Sequence, residues 1–223
     1  MQEWKDEALT EELWLTCNQP VGMLKFIDDE VSVRKAQLFA VACLRRIWHL
    51  LPGPRSREAV EIRERYADGE ATEGAFDNAR DLAREEGVLF QPNHPSRFAG
   101  QAVSDEYLAG IVLDASDAIG WEKKATDRPV TEWEPELVAQ CGLVREIFGN
   151  PFRLVSLNQS WLTPTVKQLA QSMYDDRAFD RLPILADTLE DAGCDSADIL
   201  NHCRQPGEHV RGCWIVDKIL GNE

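Results

Sequence analysis

Along this chain, apolar residues return every three or four positions, and proline and glycine interrupt the rhythm at short intervals. That is the period of the α-helix. Nowhere does a two-residue alternation run long enough to build a sheet, although NPFRLVSLNQSWLTP is extended and apolar enough for one short strand. The expected fold is all-α, a single domain over residues 1–223 with about ten short helices. Consecutive antiparallel pairs would allow solenoid-like packing. The spacing predicts helices over 6–16, 55–67, 72–87, 102–119, 135–148, 164–175, 180–192, 196–204 and 208–220, with Pro20 opening another. Gly193 suits a helix C′ position and Asp195 a cap, and 88–100 is expected as a loop.

The strongest helix is VRKAQLFAVACLRRIWHLL, with Ser32 as its cap and Pro52 ending it. At 100° per residue, Phe39, Cys43, Leu44, Ile47, Trp48, Leu50 and Leu51 fall on one arc. Arg34, Lys35, Arg45, Arg46 and His49 fall on the other. One side reads as core and the other as a cationic stripe.

The stripe stands out because the chain is acidic, with 24 Lys and Arg against 39 Asp and Glu, a formal charge of −15. Such a surface repels phosphate backbones and anionic membranes, so no nucleic-acid or membrane partner is expected. From 34 to 65, however, eight Lys or Arg meet three Glu. The stripe is therefore either a docking face for an acidic protein partner or is neutralised internally, with the acidic stretches 3–12 and 175–198 as candidate neutralisers. Of the seven tryptophans, Trp14, Trp48 and Trp214 occupy apolar helix positions, whereas Trp121, Trp133 and Trp161 are expected in or beside loops, where tryptophans either anchor interfaces or fill gaps between short helices.

The opening MQEWKDEALTEELW has no basic n-region and no apolar stretch, so no signal peptide is expected. No run reaches the ~18 apolar residues of a membrane span. A cytoplasmic location is the expectation, with the six cysteines as reduced thiols.

The C-terminal stretch CDSADILNHCRQPGEHVRGCW concentrates metal-binding chemistry. His209 and Cys213 are four positions apart, one turn of a helix. Adjacent residues on a helix diverge by about 100°, so only one of His202 and Cys203 could join a shared site. Cys194, Cys203, His209 and Cys213 form the candidate zinc set, although their spacing fits no known ligand motif. The alternatives are buried core thiols or a Cys/His nucleophile pair. There is no G-x-x-x-x-G-K-[ST], G-x-G-x-x-G, H-E-x-x-H or G-x-S-x-G, and no catalytic residue is assigned.

Five blocks, in order, carry a family resemblance: WLTCNQPVGMLKFI, RKAQLFAVACLRRIWHLL, REAVEIRERYADGEAT, VREIFGNPFR and DRLPILADTLEDAGCDSADILNHCRQPGEHVRGCWIVDKILG. Together they resemble a paralogue-rich family of bacterial proteins typical of planctomycete-type genomes. Members often carry two adjacent cysteines where this chain has Cys43 and Leu44. The resemblance implies a cytoplasmic module and supplies no activity. The leading expectation is a non-enzymatic protein-interaction or regulatory module. A zinc-binding protein is second, and an acidic nucleic-acid mimic third.

Overall fold

The structure is a computed structural model. It describes residues 10–27, 31–91, 94–104, 107–125 and 134–222, with backbone alone for Ser104, residues 120–125 and Glu134. The fold is all-α, and no strand occurs among the described residues. The residues group into two compact units, Met1–Val144 and Arg145–Glu223.

The first unit contains α1 (Glu11–Thr16), α2 (Pro20–Ile27), α3 (Val33–Arg46), α4 (Pro54–Ala67), α5 (Glu73–Gly87), α6 (Pro95–Ser104), α7 (Leu108–Ala125) and most of α8 (Glu134–Phe148). Each of α3 to α7 packs on the next, and α7 returns onto α2 and α3. The array therefore closes on itself instead of extending as an open solenoid. The predicted helix over 102–119 is two helices, α6 and α7. The expected loop 88–100 contains half of α6, opened by Pro95 in its first turn.

Ser32 caps α3 as the sequence indicates, its Oγ accepting from the Lys35 N–H at 3.3 Å. Phe39, Cys43, Leu44 and Ile47 are fully buried, while Trp48 is half-buried between the Arg45 and Arg57 guanidinium groups. At α4 the N-cap is Gly53, which has no side chain to offer. Glu86 supplies the missing acceptor from α5, taking the Ser56 N–H at 2.8 Å and the Ser56 hydroxyl at 2.7 Å. Helices α5 and α6 cross at Gly87 and Gly100. A Cβ on Gly100 would lie 2.8 Å from the Gly87 Cα, so only glycine permits this approach.

The second unit contains the end of α8, then α9 (Pro164–Asp176), α10 (Leu182–Asp191), α11 (Ala197–Arg204) and α12 (Trp214–Leu220). Its core is one cluster built from Val166, Met173, Phe179, Leu182, Leu185, Leu189, Ile199, Ile215 and their neighbours. Residues 154–158 form no strand, and a single 3₁₀ turn follows at Gln159–Trp161. Two sequence expectations shift here. The α11 N-cap is Ser196, not Asp195, and the predicted helix over 208–220 starts only at Trp214, with Cys213 as its N-cap. Gly193 does adopt the positive φ (89°) expected after α10.

Candidate metal centre

Three helical elements and one loop bring four donor side chains together within the second unit. Glu146 sits in the last turn of α8, whose end is fixed by Gly149 at φ 74°. A side chain at 149 would press on the indole ring of Trp214, 3.4 Å from the Cβ position. Trp214 also lies against His202 of α11, with ring centroids 5.0 Å apart. The same indole thus seats the end of α8 and the imidazole of α11. Cys213 precedes that tryptophan in sequence and is fully buried. His209 comes from the Gln205–Gly212 loop, and its ring meets that of His202 edge-on at 5.3 Å.

One donor atom from each of Glu146, His202, His209 and Cys213 lies within 4.8 Å of the other three. Glu146 Oε2 is 2.9 Å from His209 Nδ1 and 3.4 Å from His202 Nε2, and His202 Nε2 is 3.3 Å from Cys213 Sγ. A tetrahedral zinc centre with bonds of ~2.0–2.3 Å has ligand–ligand edges of about 3.3–3.8 Å; the 3.3 and 3.4 Å separations match it, the 2.9 Å separation is shorter, and all four donors lie within 4.8 Å.

The hydrogen positions make the arrangement more specific. His209 Nε2 faces the Gln205 carbonyl oxygen at 3.3 Å, which only accepts, so this nitrogen donates. Nδ1 faces a carboxylate oxygen, which also only accepts. A neutral imidazole has one N–H, so the second contact requires either another proton or a cation between the two lone pairs. Glu146 is 3% exposed, and its second oxygen, Oε1, is buried with no hydrogen-bond partner. An unsatisfied buried carboxylate oxygen is costly, and a cation held through both Glu146 oxygens would satisfy it.

The electrostatics follow from burial. Burial lowers the pKa of His202 to about 4, against the opposing charge of Glu146, so this ring is neutral and able to ligate. For His209 burial lowers the pKa, but the hydrogen bond and charge of Glu146 raise it by more. Burial and then the Glu146 charge hold the Cys213 thiol well above its ordinary value, while backbone bonds at Val216 and Ile215 favour the thiolate. A bound divalent cation reverses this balance, since it deprotonates a coordinating thiol outright. Beyond the donors, Gln205 Nε2 lies 3.3 Å from His202 Nδ1, and the Gln205 carbonyl holds His209. Outer partners of this kind fix the orientation of ligating imidazoles.

Of the four residues named from sequence, His209 and Cys213 belong to this group, and Cys194 and Cys203 do not. Both of the latter are buried in the apolar core of the unit, where burial pushes the Cys203 thiol up to about 12. Their places are taken by His202 and Glu146. All six cysteines are free thiols. Glu146 lies 56 residues before His202, so no local spacing could single it out among 39 acidic residues.

The three arginines of the cationic stripe have carboxylate partners within their own unit. Arg34 pairs with Asp68 at 3.1 Å, and Arg45 with Glu64 at 3.0 Å and Glu61 at 3.2 Å. Arg46 makes a two-pronged bond to Glu136 at 2.8 and 3.0 Å. These carboxylates come from α4, the residue capping it and α8; residues 3–9 of the acidic stretch 3–12 lie outside the described residues. Lys35 is half-buried and His49 exposed. Trp161 packs against the core of the second unit. Trp121 lies in α7, not in a loop, and its side chain is outside the described residues, as is Trp133. No helix among the described residues is long and apolar enough to cross a membrane. Comparison with protein-family models, curated proteins and solved structures gives no match.

Proposed function

We propose that this protein is a zinc-type metal-binding protein whose C-terminal unit holds one divalent cation on Glu146, His202, His209 and Cys213. The observation that carries this reading is the convergence of four buried or near-buried donors around a carboxylate with an unsatisfied oxygen. The donor set supports a borderline ion. One sulfur, two imidazole nitrogens and one oxygen match the ligand classes of zinc. Calcium and magnesium prefer six or more oxygens. The arginine pairs of the first unit supply no comparable support for a docking face, because an acidic partner would first have to displace carboxylates already in place.

The test is elemental analysis of protein purified without chelators, with a thiol count alongside. About one zinc per chain, with Cys213 protected until the metal is stripped, is the expected result. Metal-free protein that takes up no zinc on titration would overturn the reading.

A further inference from the structure

We propose that the cation loads and leaves through His209, so that the Gln205–Gly212 loop is a metal-gated element. This inference rests on the reading of the four residues as a metal centre.

The four donors are not held alike. Glu146 and His202 stand on α8 and α11, and Cys213 is the N-cap of α12. The side chains of Glu146, His202 and His209 are 3%, 9% and 8% exposed and Cys213 is fully buried, so the donors differ in backbone support and not in burial. Cys213 adjoins the first residue of α12, whereas His209 lies five residues from the nearest helix end, and the residues before it, Gln205 to Glu208, are exposed. The two polar contacts of its ring are to Glu146 Oε2 of the site and to the Gln205 carbonyl of its own loop. Across the site, the ring is therefore held by one hydrogen bond and its edge-on contact with His202.

The loop is anchored outside His209. On one side the Gln205 N–H donates to the Asn201 carbonyl at 2.8 Å. On the other, Arg211 donates to the Tyr174 carbonyl at 3.3 Å and stacks on the Tyr174 ring at 4.4 Å. The Cys213 N–H bonds to the Val210 carbonyl at 3.0 Å. Gly207 lies between the anchors at φ 158° and Gly212 beside the second at φ 96°, conformations that side-chain-bearing residues rarely adopt. Rotation about these glycines would swing His209 outward and leave the other three donors on their helical elements. In that step the bond from the cation to His209 Nδ1 breaks, the imidazole leaves as a neutral ring, and a water oxygen takes the vacated position. No electron is transferred. The three-ligand state is the one a competing chelator attacks.

The experiment uses the full chain loaded with cobalt(II), whose visible bands report four-coordination and whose near-ultraviolet band reports the Cys213 thiolate. Wild type should bind cobalt with strong four-coordinate bands. Release to a chelator should be at least about tenfold faster in His209→Gly, and free imidazole should slow it again by refilling the position. Hydrogen exchange at residues 205–209 should slow on zinc addition by a larger factor than exchange in α10. Wild type that binds no cobalt overturns both the metal reading and the gate. Cobalt bound with release unchanged in His209→Gly overturns the gate alone. If that variant does not fold, wild-type exchange decides the matter: loop amides that respond to zinc no more than α10 overturn the gate.

Discussion

The cationic stripe of α3 and the cluster around Glu146 are both charge-rich places in a protein of net charge −15, yet they close differently. On the stripe Arg34, Arg45 and Arg46 each meet a carboxylate, and the guanidinium brings its own positive charge and donors. Around Glu146 stand two imidazoles and a thiol, groups whose charge depends on what they bind. An Arg–carboxylate pair is complete by itself. A carboxylate, two imidazoles and a thiol become complete when a cation or protons are added. Charge density in the sequence therefore identifies neither a docking face nor a metal centre; the partner that the fold supplies decides between them.

The largest effect expected of this contrast lies in the cluster. Replacing Cys213 with Ser removes a ligand, and zinc affinity should fall by more than the ~100-fold typical of losing an outer-shell partner. Competition with a chromophoric chelator measures it. Added zinc should raise the melting temperature of wild type and leave that of the variant unchanged. Equal zinc affinity in Cys213→Ser would break the distinction between the two regions. On the stripe, Glu136→Ala removes the two-pronged partner of Arg46 and the acceptor to which Gln140 Nε2 donates at 3.1 Å. Glu136 is 4% exposed and Gln140 fully buried, so the cost should be about 3 kcal/mol in denaturant unfolding, with zinc affinity unchanged.

Acidity should separate the regions next. Ligands must be deprotonated to bind, so zinc affinity falls as pH falls, by about tenfold per unit for each proton displaced. His202, lowered to about 4, displaces no proton near neutrality. The dependence there comes from His209 and Cys213, both raised. Zinc titration at pH 6 and pH 8 should therefore show weaker binding at pH 6. Pairs built on arginine contain no imidazole, and Arg stays protonated throughout. Affinity independent of pH would exclude His209 and Cys213 as ligands.

Helical period, caps and breakers were readable along the chain because they depend on neighbours in sequence. Ser32 before α3 and Gly193 after α10 are examples. The start of α12 was not, because the apolar pattern of HVRGCWIVDKIL continues through the turn at Gly212, where φ is positive. In the candidate site, His209 and Cys213 were legible as a pair of metal-ligating types four apart. The choice of His202 over Cys203 depends on which face of α11 turns toward Trp214, and Glu146 depends on where α8 ends. The carboxylates facing the stripe, Glu64 and Glu136, were hidden for the same reason, since only the packing of α3 selects them.

The smallest effect belongs to an ion pair that shares the cluster's unit but not its burial. Arg153 and Asp198 meet at 3.0 Å with both side chains about half exposed. Water screens such a pair, and holding two flexible side chains together costs entropy, so Asp198→Ala should change stability by less than about 1 kcal/mol. Asp198 also lies in the first turn of α11, where a negative charge offsets the free N–H groups, so the small loss has two sources. Raising salt should remove most of the difference between variant and wild type. A loss as large as that expected for Glu136→Ala would mean that position along α11, not burial, governs what a charge contributes here. The contrast between closed pairs and an open cluster would then have to be redrawn around helix ends.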